Sequence, residues 1–205
     1  MTMKGQDVGT QRVQIKDPAD WAGAGPRPDD GPAPTRSGTL EFVPGPGCER
    51  ALRDALGRFA TGVTVITAPG ASGPVGITAN SFTSLSLDPA LVLWAPARAS
   101  RRFDVFAAAR HFAIHVLGAE QAALGRHFSR DGLDFDLPGV QQNAEGVPIL
   151  PGCLAHFECR QEALHAGGDH AIVVGRVLRA SLREGAPLVF SGGRYGGFSP
   201  DEAGV

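Results

Sequence analysis

Two long runs near the C-terminal end, Leu154 to Leu164 and Ala171 to Leu182, are joined through Ala166-Gly-Gly-Asp169. Gly-Gly and Gly-Asp are the chemistry of tight turns, so the pair reads as one long β-hairpin. Such a hairpin has two flanks of unpaired backbone, and a larger antiparallel sheet, most economically a closed one, satisfies them. The rest of the chain agrees. Val63-Thr-Val-Ile-Thr67 is rich in β-branched residues, Pro69 to Pro74 is a turn cluster, and Val75 to Ala79 continues as the next strand. Ala90 to Trp94, Phe112 to Leu117 and Pro187 to Phe190 add further short apolar runs, the last followed by a glycine-rich end from Ser191 to Gly197. Leu52, Leu56 and Phe59 lie on one face of a helix expected over Cys48 to Ala60. Short helices are also expected at Phe103 to Ala107 and Glu120 to Phe128. The expected fold is mainly β, a six-to-seven-stranded antiparallel barrel with a few short helices.

With 205 residues the chain supports one well-buried core. Residues 1–47 hold eight glycines and seven prolines and read as an N-terminal arm preceding a domain over residues 48–205. Nineteen basic against 21 acidic residues give a formal charge of -2, which argues against a nucleic-acid footprint. No apolar run approaches the roughly 20 residues of a membrane helix, and the expected location is the cytoplasm. Three cysteines, Cys48, Cys153 and Cys159, fit neither a disulfide framework nor a zinc site and read as ordinary thiols. His111 and His115 have H-x-x-x-H spacing but lie in or beside a strand without the glutamate of a zincin helix, so no metal is expected.

The chemistry concentrates between Gly76 and Arg102. Of the nine residues Thr78 to Ser86, six carry short hydroxyl or amide groups (Thr78, Asn80, Ser81, Thr83, Ser84, Ser86) and none is charged. Short polar side chains admit a ligand close to the backbone, and a flat polar heterocycle suits them; a polar edge strand is the alternative reading. Beyond the next strand come Arg98, Arg101 and Arg102 around Ser100, either a seat for phosphate or the solvated end of a helix. His170 reads as an exposed turn residue or a functional one, and His127 as a surface group or a neighbour of a nucleotide. No strand-G-x-G-x-x-G-helix unit occurs, so a nicotinamide nucleotide would bind by other means than a Rossmann site.

The series A-L-G-R-F-A-T-G-V-T-V-I-T (55–67), G-I-T-A-N-S-F-T-S-L-S-L-D-P (76–89), F-A-I-H-V-L (112–117), G-D-H-A-I-V-V-G-R-V (168–177) and G-R-Y-G (193–196) resembles the flavin reductase-like family. The resemblance covers about residues 48–198. It implies an FMN-binding split β-barrel, usually a homodimer, that acts as an NAD(P)H:flavin oxidoreductase with FMN or FAD. Members often supply reduced flavin to a partner monooxygenase. Position by position, it implies that Thr78, Ala79, Asn80 and Ser81 meet the isoalloxazine edge, largely through backbone groups, and that Ser84 and Ser86 face the ribityl chain or phosphate. Ser100 and Arg101 match the phosphate loop, His170 the residue near the nicotinamide, and Tyr195 the tyrosine of the terminal motif. Two other functions fit the same barrel: a reductase that retains its flavin and acts on an organic substrate, and a non-catalytic flavin- or haem-binding module.

Overall fold

The computed structural model describes residues 39–200. Apart from residues 39–47, the expected arm lies outside the described residues. Contacts divide the chain into two units, Met1–Leu52 and Arg53–Val205. Helix α1 (Glu49–Leu56) is shorter than its sequence pattern and stops at Gly57. Its expected apolar face is not buried: Leu56 is 66 % and Phe59 79 % exposed.

The second unit is built on a seven-stranded antiparallel sheet in the order β3-β2-β6-β9-β10-β5-β4. Its strands are β2 (Thr64–Gly70), β3 (Gly73–Ala79), β4 (Thr83–Leu87), β5 (Ala90–Trp94), β6 (His111–Val116), β9 (Ala155–Gly167) and β10 (His170–Leu182). The edge strands β3 and β4 are consecutive in sequence, linked only by Asn80, Ser81 and Phe82. Seven flat strands would put those edges roughly 29 Å apart, whereas a three-residue link spans at most about 14 Å. The sheet must therefore curl until its two edges meet at that corner. No ladder joins β3 to β4 among the described residues, so the curl is a split barrel rather than a closed one. The Ser81 hydroxyl stitches the corner, accepting from Ala95 N–H at 3.0 Å and donating to Ala95 C=O at 3.2 Å.

The expected long hairpin is β9–β10, closed by Gly168-Asp169 with Gly168 at φ +69°. The two-residue strands escaped the sequence pattern. These are β1 (Thr61–Gly62), β7 (Gln141–Gln142) and β8 (Pro148–Ile149). The glycine-rich end, not expected to form a strand, is β12 (Arg194–Gly197), paired with β11 (Leu188–Ser191) through a turn in which Gly192 and Gly193 both have positive φ. Strands β1, β11 and β12 make a separate small sheet. Helix α2 (Phe103–Ala108) lies between β5 and β6. A turn of 3-10 helix (Ala119–Gln121) leads into α3 (Ala122–Arg130).

Strand β2 is buried on both faces because two apolar clusters use it in alternation. Ile66 and Ala68 point into the cluster with Trp94, Phe106, Phe112 and Ile114. Val65, with Val63 just before the strand, joins the other, with Leu117, Phe128 and Leu150. Gly175 lets Phe112 lie against β10, since a Cβ there would meet its ring at 2.6 Å. Buried Cys159 and half-buried Cys153 are packing groups: burial pushes their thiols up to about 12 and about 11.

His115 fastens the β8 segment to the sheet. Its Nδ1–H donates to Val65 C=O at 3.0 Å and its Nε2 accepts from Leu150 N–H at 3.1 Å, so both nitrogens are used by the neutral ring. Burial lowers its pKa to about 4. Between pH 6.5 and 4 the unfolded chain binds a proton here that the folded chain refuses. Stability is therefore retained above pH 6.5 and is lost as the pH falls through this window. Urea unfolding should show a loss of about 2 kcal/mol between pH 7 and pH 5. A midpoint that does not move over that range would contradict the assignment.

Candidate functional site

Among the described residues strand β3 has a partner strand on one side only, and its free edge organises the site. Gly76 N–H donates to Gly132 C=O at 2.7 Å, and Gly76 C=O accepts from Arg102 Nη1 at 3.0 Å, so both groups of Gly76 point away from β2. Two residues on, strand alternation turns the Thr78 amide and carbonyl the same way. They face a cleft of about 620 Å³ lined by Thr78, Ala79, Asn80, Arg126, Phe190 and Tyr195, among others. Asn80 and Phe190 are shared with an adjoining chamber of about 720 Å³ that includes Phe59, Thr61, Ser81 and Phe82. The Thr61 Oγ1 on its wall is buried and has no hydrogen-bond partner among the described residues.

Side-chain hydroxyls contribute less to this site than their number in the sequence implies. Thr78 Oγ1 donates to Gly125 C=O at 2.7 Å, tying β3 to α3, and the Ser81 hydroxyl is committed to Ala95. What remains open is the backbone of Thr78 and the exposed side chain of Asn80. Ser84 and Ser86 sit on β4, facing β5 across a bulge, and line neither chamber.

The expected phosphate loop lies at the other end of β3. Ser100, Arg101 and Arg102 line a cleft of about 550 Å³ together with Arg130 and Asp131. Arg102 is a structural clamp. Its Nη1 reaches Gly76 C=O and, at 2.8 Å, Phe128 C=O, which fixes this loop to β3 and to the end of α3. Burial lowers its pKa, opposed by the nearby Asp131 carboxylate. Phe128 in turn fits over Gly76, where a Cβ would meet its ring at 2.5 Å. Arg101 is exposed and has no hydrogen-bond or ion-pair partner among the described residues, leaving it open to an anion. The Ser100 hydroxyl accepts from Arg102 N–H at 3.3 Å. From Gly76 to Ala79 the strand rises roughly 10 Å, the scale of a five-carbon chain joining a ring to a phosphate.

Tyr195 lines the Thr78 cleft. It packs on α3 at Gly125, with the Arg126 guanidinium 5.9 Å from its ring centroid, and burial raises its hydroxyl pKa. His127 does not reach that cleft. Its Nε2–H donates to Asp134 C=O at 2.8 Å, and it lines a neighbouring depression with Arg130 and Asp134. His170 follows the β9–β10 turn, its Nδ1 2.8 Å from Asp169 Oδ1. The turn is held to the segment after β5, where Arg98 N–H donates to Asp169 C=O and Arg98 Nε to His170 C=O. His170 also bridges to Ala97, two residues beyond the Ala95 that holds the Ser81 hydroxyl, so the turn stands at the barrel end that carries Ser81.

An uncharged edge of alternating donor and acceptor groups at Thr78, a free arginine in the loop clamped to the same strand at Gly76, and a buried hydroxyl without a partner among the described residues fit a flavin nucleotide. The comparisons with known proteins agree with that chemistry. The family model for the flavin reductase like domain matches residues 56–199. The chain is a member of the flavin reductase-like family. It is 57 % identical over 158 residues to the FMN reductase (NADH) SmoA of Agrobacterium fabrum, covering 77 % of this chain and 91 % of that one. Identity is 42 % over 155 residues to the flavin-dependent monooxygenase reductase subunit HsaB of Rhodococcus jostii, covering 75 % and 80 %. Among solved structures, the Streptomyces globisporus NADH:FAD oxidoreductase SgcE6 superposes with a TM-score of 0.71 at 41 % identity, covering 78 % of this chain and 98 % of that one. A second structure of that oxidoreductase holds NAD and FAD fragments.

Sequence reading passed over Arg126, Ser129, Phe190 and Arg194, which line the Thr78 cleft. Arg126 and Ser129, three apart on α3, offered a helical-spacing signal, whereas Phe190 and Arg194 come to the cleft only because the β11–β12 hairpin folds over it.

The two adjacent arginines should behave differently. Arg102→Ala removes two charge-assisted bonds to backbone carbonyls and should cost about 2 kcal/mol in urea unfolding, while Arg101→Ala should change stability by less than about 0.5 kcal/mol. Equal losses would refute the division into clamp and open cation.

Proposed function

We propose that this protein is an NADH-dependent flavin reductase that binds FMN with its ring against the β3 edge at Thr78 to Asn80 and its phosphate at Ser100 and Arg101. The observation that carries this reading is the pairing along one strand of an open backbone edge with a free arginine, joined by the Arg102 clamp. The 57 % identity to a protein named FMN reductase (NADH) supports the choice of flavin and nucleotide.

A bound flavin supplies the hydride acceptor, its N5. The protein binds, orients and excludes water. The Thr78 amide and carbonyl, with the Asn80 carboxamide, fix the ring laterally, while Val63, Phe82 and Phe190 supply apolar walls on either side of Asn80. Among the described residues no acid–base dyad lines the cleft, and none is needed where two rings must be held face to face at about 3–3.5 Å. His170, half-buried, anchored by Asp169 and lining neither chamber, is proposed to orient the nicotinamide carboxamide from the β9–β10 turn.

Reduced flavin is proposed to leave for a partner monooxygenase, a role supported by relatives named as reductase subunits. A homodimer is proposed on the uncovered outer edge of β4, where Leu87 is 95 % exposed. No helix among the described residues is long and apolar enough to cross a membrane, and we place the activity in the cytoplasm. The arm over residues 1–47 lies outside the matched family region and is proposed to be separate from catalysis.

Anaerobic oxidation of NADH with added FMN, FAD or riboflavin tests the activity directly: turnover with free flavin is expected, and none with any flavin would refute it. Arg101→Ala should weaken FMN about tenfold or more while leaving riboflavin, which lacks the phosphate, nearly unchanged in a fluorescence titration. Equal losses for both ligands would move the phosphate elsewhere. His170→Ala should lower kcat/KM for NADH about tenfold, with FMN affinity retained. Wild-type reduction kinetics would leave His170 as a turn residue only.

A further inference from the structure

The Thr78 cleft carries more positive charge than a flavin mononucleotide accounts for. Arg126 and Arg194 both line it, and among the described residues no carboxylate does. Several arginines elsewhere on the fold are satisfied: Arg176 by Glu162, Arg179 by Glu145 and Glu158, Arg183 by Glu120, and Arg102 by two carbonyls. Arg126 and Arg194 have neither ion-pair nor hydrogen-bond partners for their guanidinium groups among the described residues. Two like charges set on one apolar-walled cleft without a counter-ion make a site for an anion.

Their placement is built rather than incidental. Arg126 projects from α3 and lies over the Tyr195 ring at 5.9 Å. Arg194 is delivered from the opposite side by β12, immediately after the two positive-φ glycines of the turn. Gly193 in that turn also lines the cleft, and a Cβ there would meet nothing within 4 Å, so a ligand has room beside the backbone. Both cations stand at the ring end of the flavin path. The Ser100–Arg101 loop, roughly 10 Å back along β3, already serves the flavin phosphate.

We infer that Arg126 and Arg194 form a second anion subsite that holds the pyrophosphate of the incoming nicotinamide dinucleotide, seating its reduced ring over the flavin. This rests on the reading of the protein as a flavin reductase. The subsite acts on nucleotide binding and not on the hydride step, because the charge it contacts is remote from the reacting carbon.

Anaerobic stopped-flow reduction of the preformed FMN complex tests it, using NADH and, as a donor without phosphate, 1-benzyl-1,4-dihydronicotinamide. Arg126→Ala and Arg194→Gln should each raise the apparent Kd for NADH about tenfold while leaving the limiting rate unchanged. Reduction by the benzyl donor should be unaffected, and the salt dependence of NADH binding should flatten. Arg126→Lys and Arg194→Lys should recover part of the loss. Arg194→Gln leaves the Arg126–Tyr195 contact in place, so it reads the charge without disturbing that packing. Unchanged NADH affinity in both variants would overturn the inference. So would an equal loss with the benzyl donor, or a loss of FAD relative to FMN affinity at constant NADH affinity, which would assign the arginines to the adenylate half of the flavin. If the wild-type protein oxidises NADH with no flavin, the underlying reading fails first, and that outcome is distinct from active variants that bind NADH normally.

Discussion

Three residues, Asn80 to Phe82, connect the opposite edges of a seven-stranded sheet, and the rest of the molecule follows from that short tether. A flat sheet is geometrically excluded, so the sheet rolls around Trp94, Phe106 and Phe112, and the corner is sealed by the two Ser81–Ala95 hydrogen bonds. Because the edges touch only there, β3 keeps an unpaired flank. An unpaired edge is ordinarily an invitation to aggregation. Here α3 and the Asp131–Gly132 turn cover its first half, and the small cleft at Thr78 uses the remainder.

Arg102 links that scaffold to the site. One guanidinium nitrogen bonds carbonyls from β3 and from the end of α3, so the arginine loop, the strand edge and the helix move as a unit. Its neighbour Arg101 is thereby held in a defined place while its own charge stays available. The same division of labour recurs at Thr78 and Ser81, whose hydroxyls brace the fold while neighbouring backbone is left for a ligand. A site of this kind needs rigidity more than reactive groups, since the chemistry belongs to the cofactor.

Much of this was legible in the sequence because its signals are local. The β9–β10 hairpin declared itself through two long runs and Gly168-Asp169, and the ordered motifs from Ala55 to Gly196 identified the family. The polar block at Thr78 to Ser86 was recognised, but not which groups would be spent on the fold, because Gly125 and Ala95 are distant in sequence from the hydroxyls they engage. Arg101 and Arg102 are indistinguishable as letters; only the approach of Gly76 and Phe128 separates them. His127 turned to Asp134 for the same reason. Arg126 and Arg194 were invisible as a pair, since nothing but the fold over the cleft brings α3 and β12 together. The pattern of Leu52, Leu56 and Phe59 promised a buried face that the described residues do not cover.

The central claim is that one strand edge aligns both ends of a flavin mononucleotide, ring at Thr78 to Asn80 and phosphate at Ser100 and Arg101. A crystal structure of the complex with oxidised FMN measures this most directly. The account predicts the pyrimidine edge of the ring within hydrogen-bonding distance of the Thr78 backbone, about 2.7–3.2 Å, and the phosphate on Arg101. A phosphate seated between Arg126 and Arg194, with the Ser100 loop vacant, would contradict it.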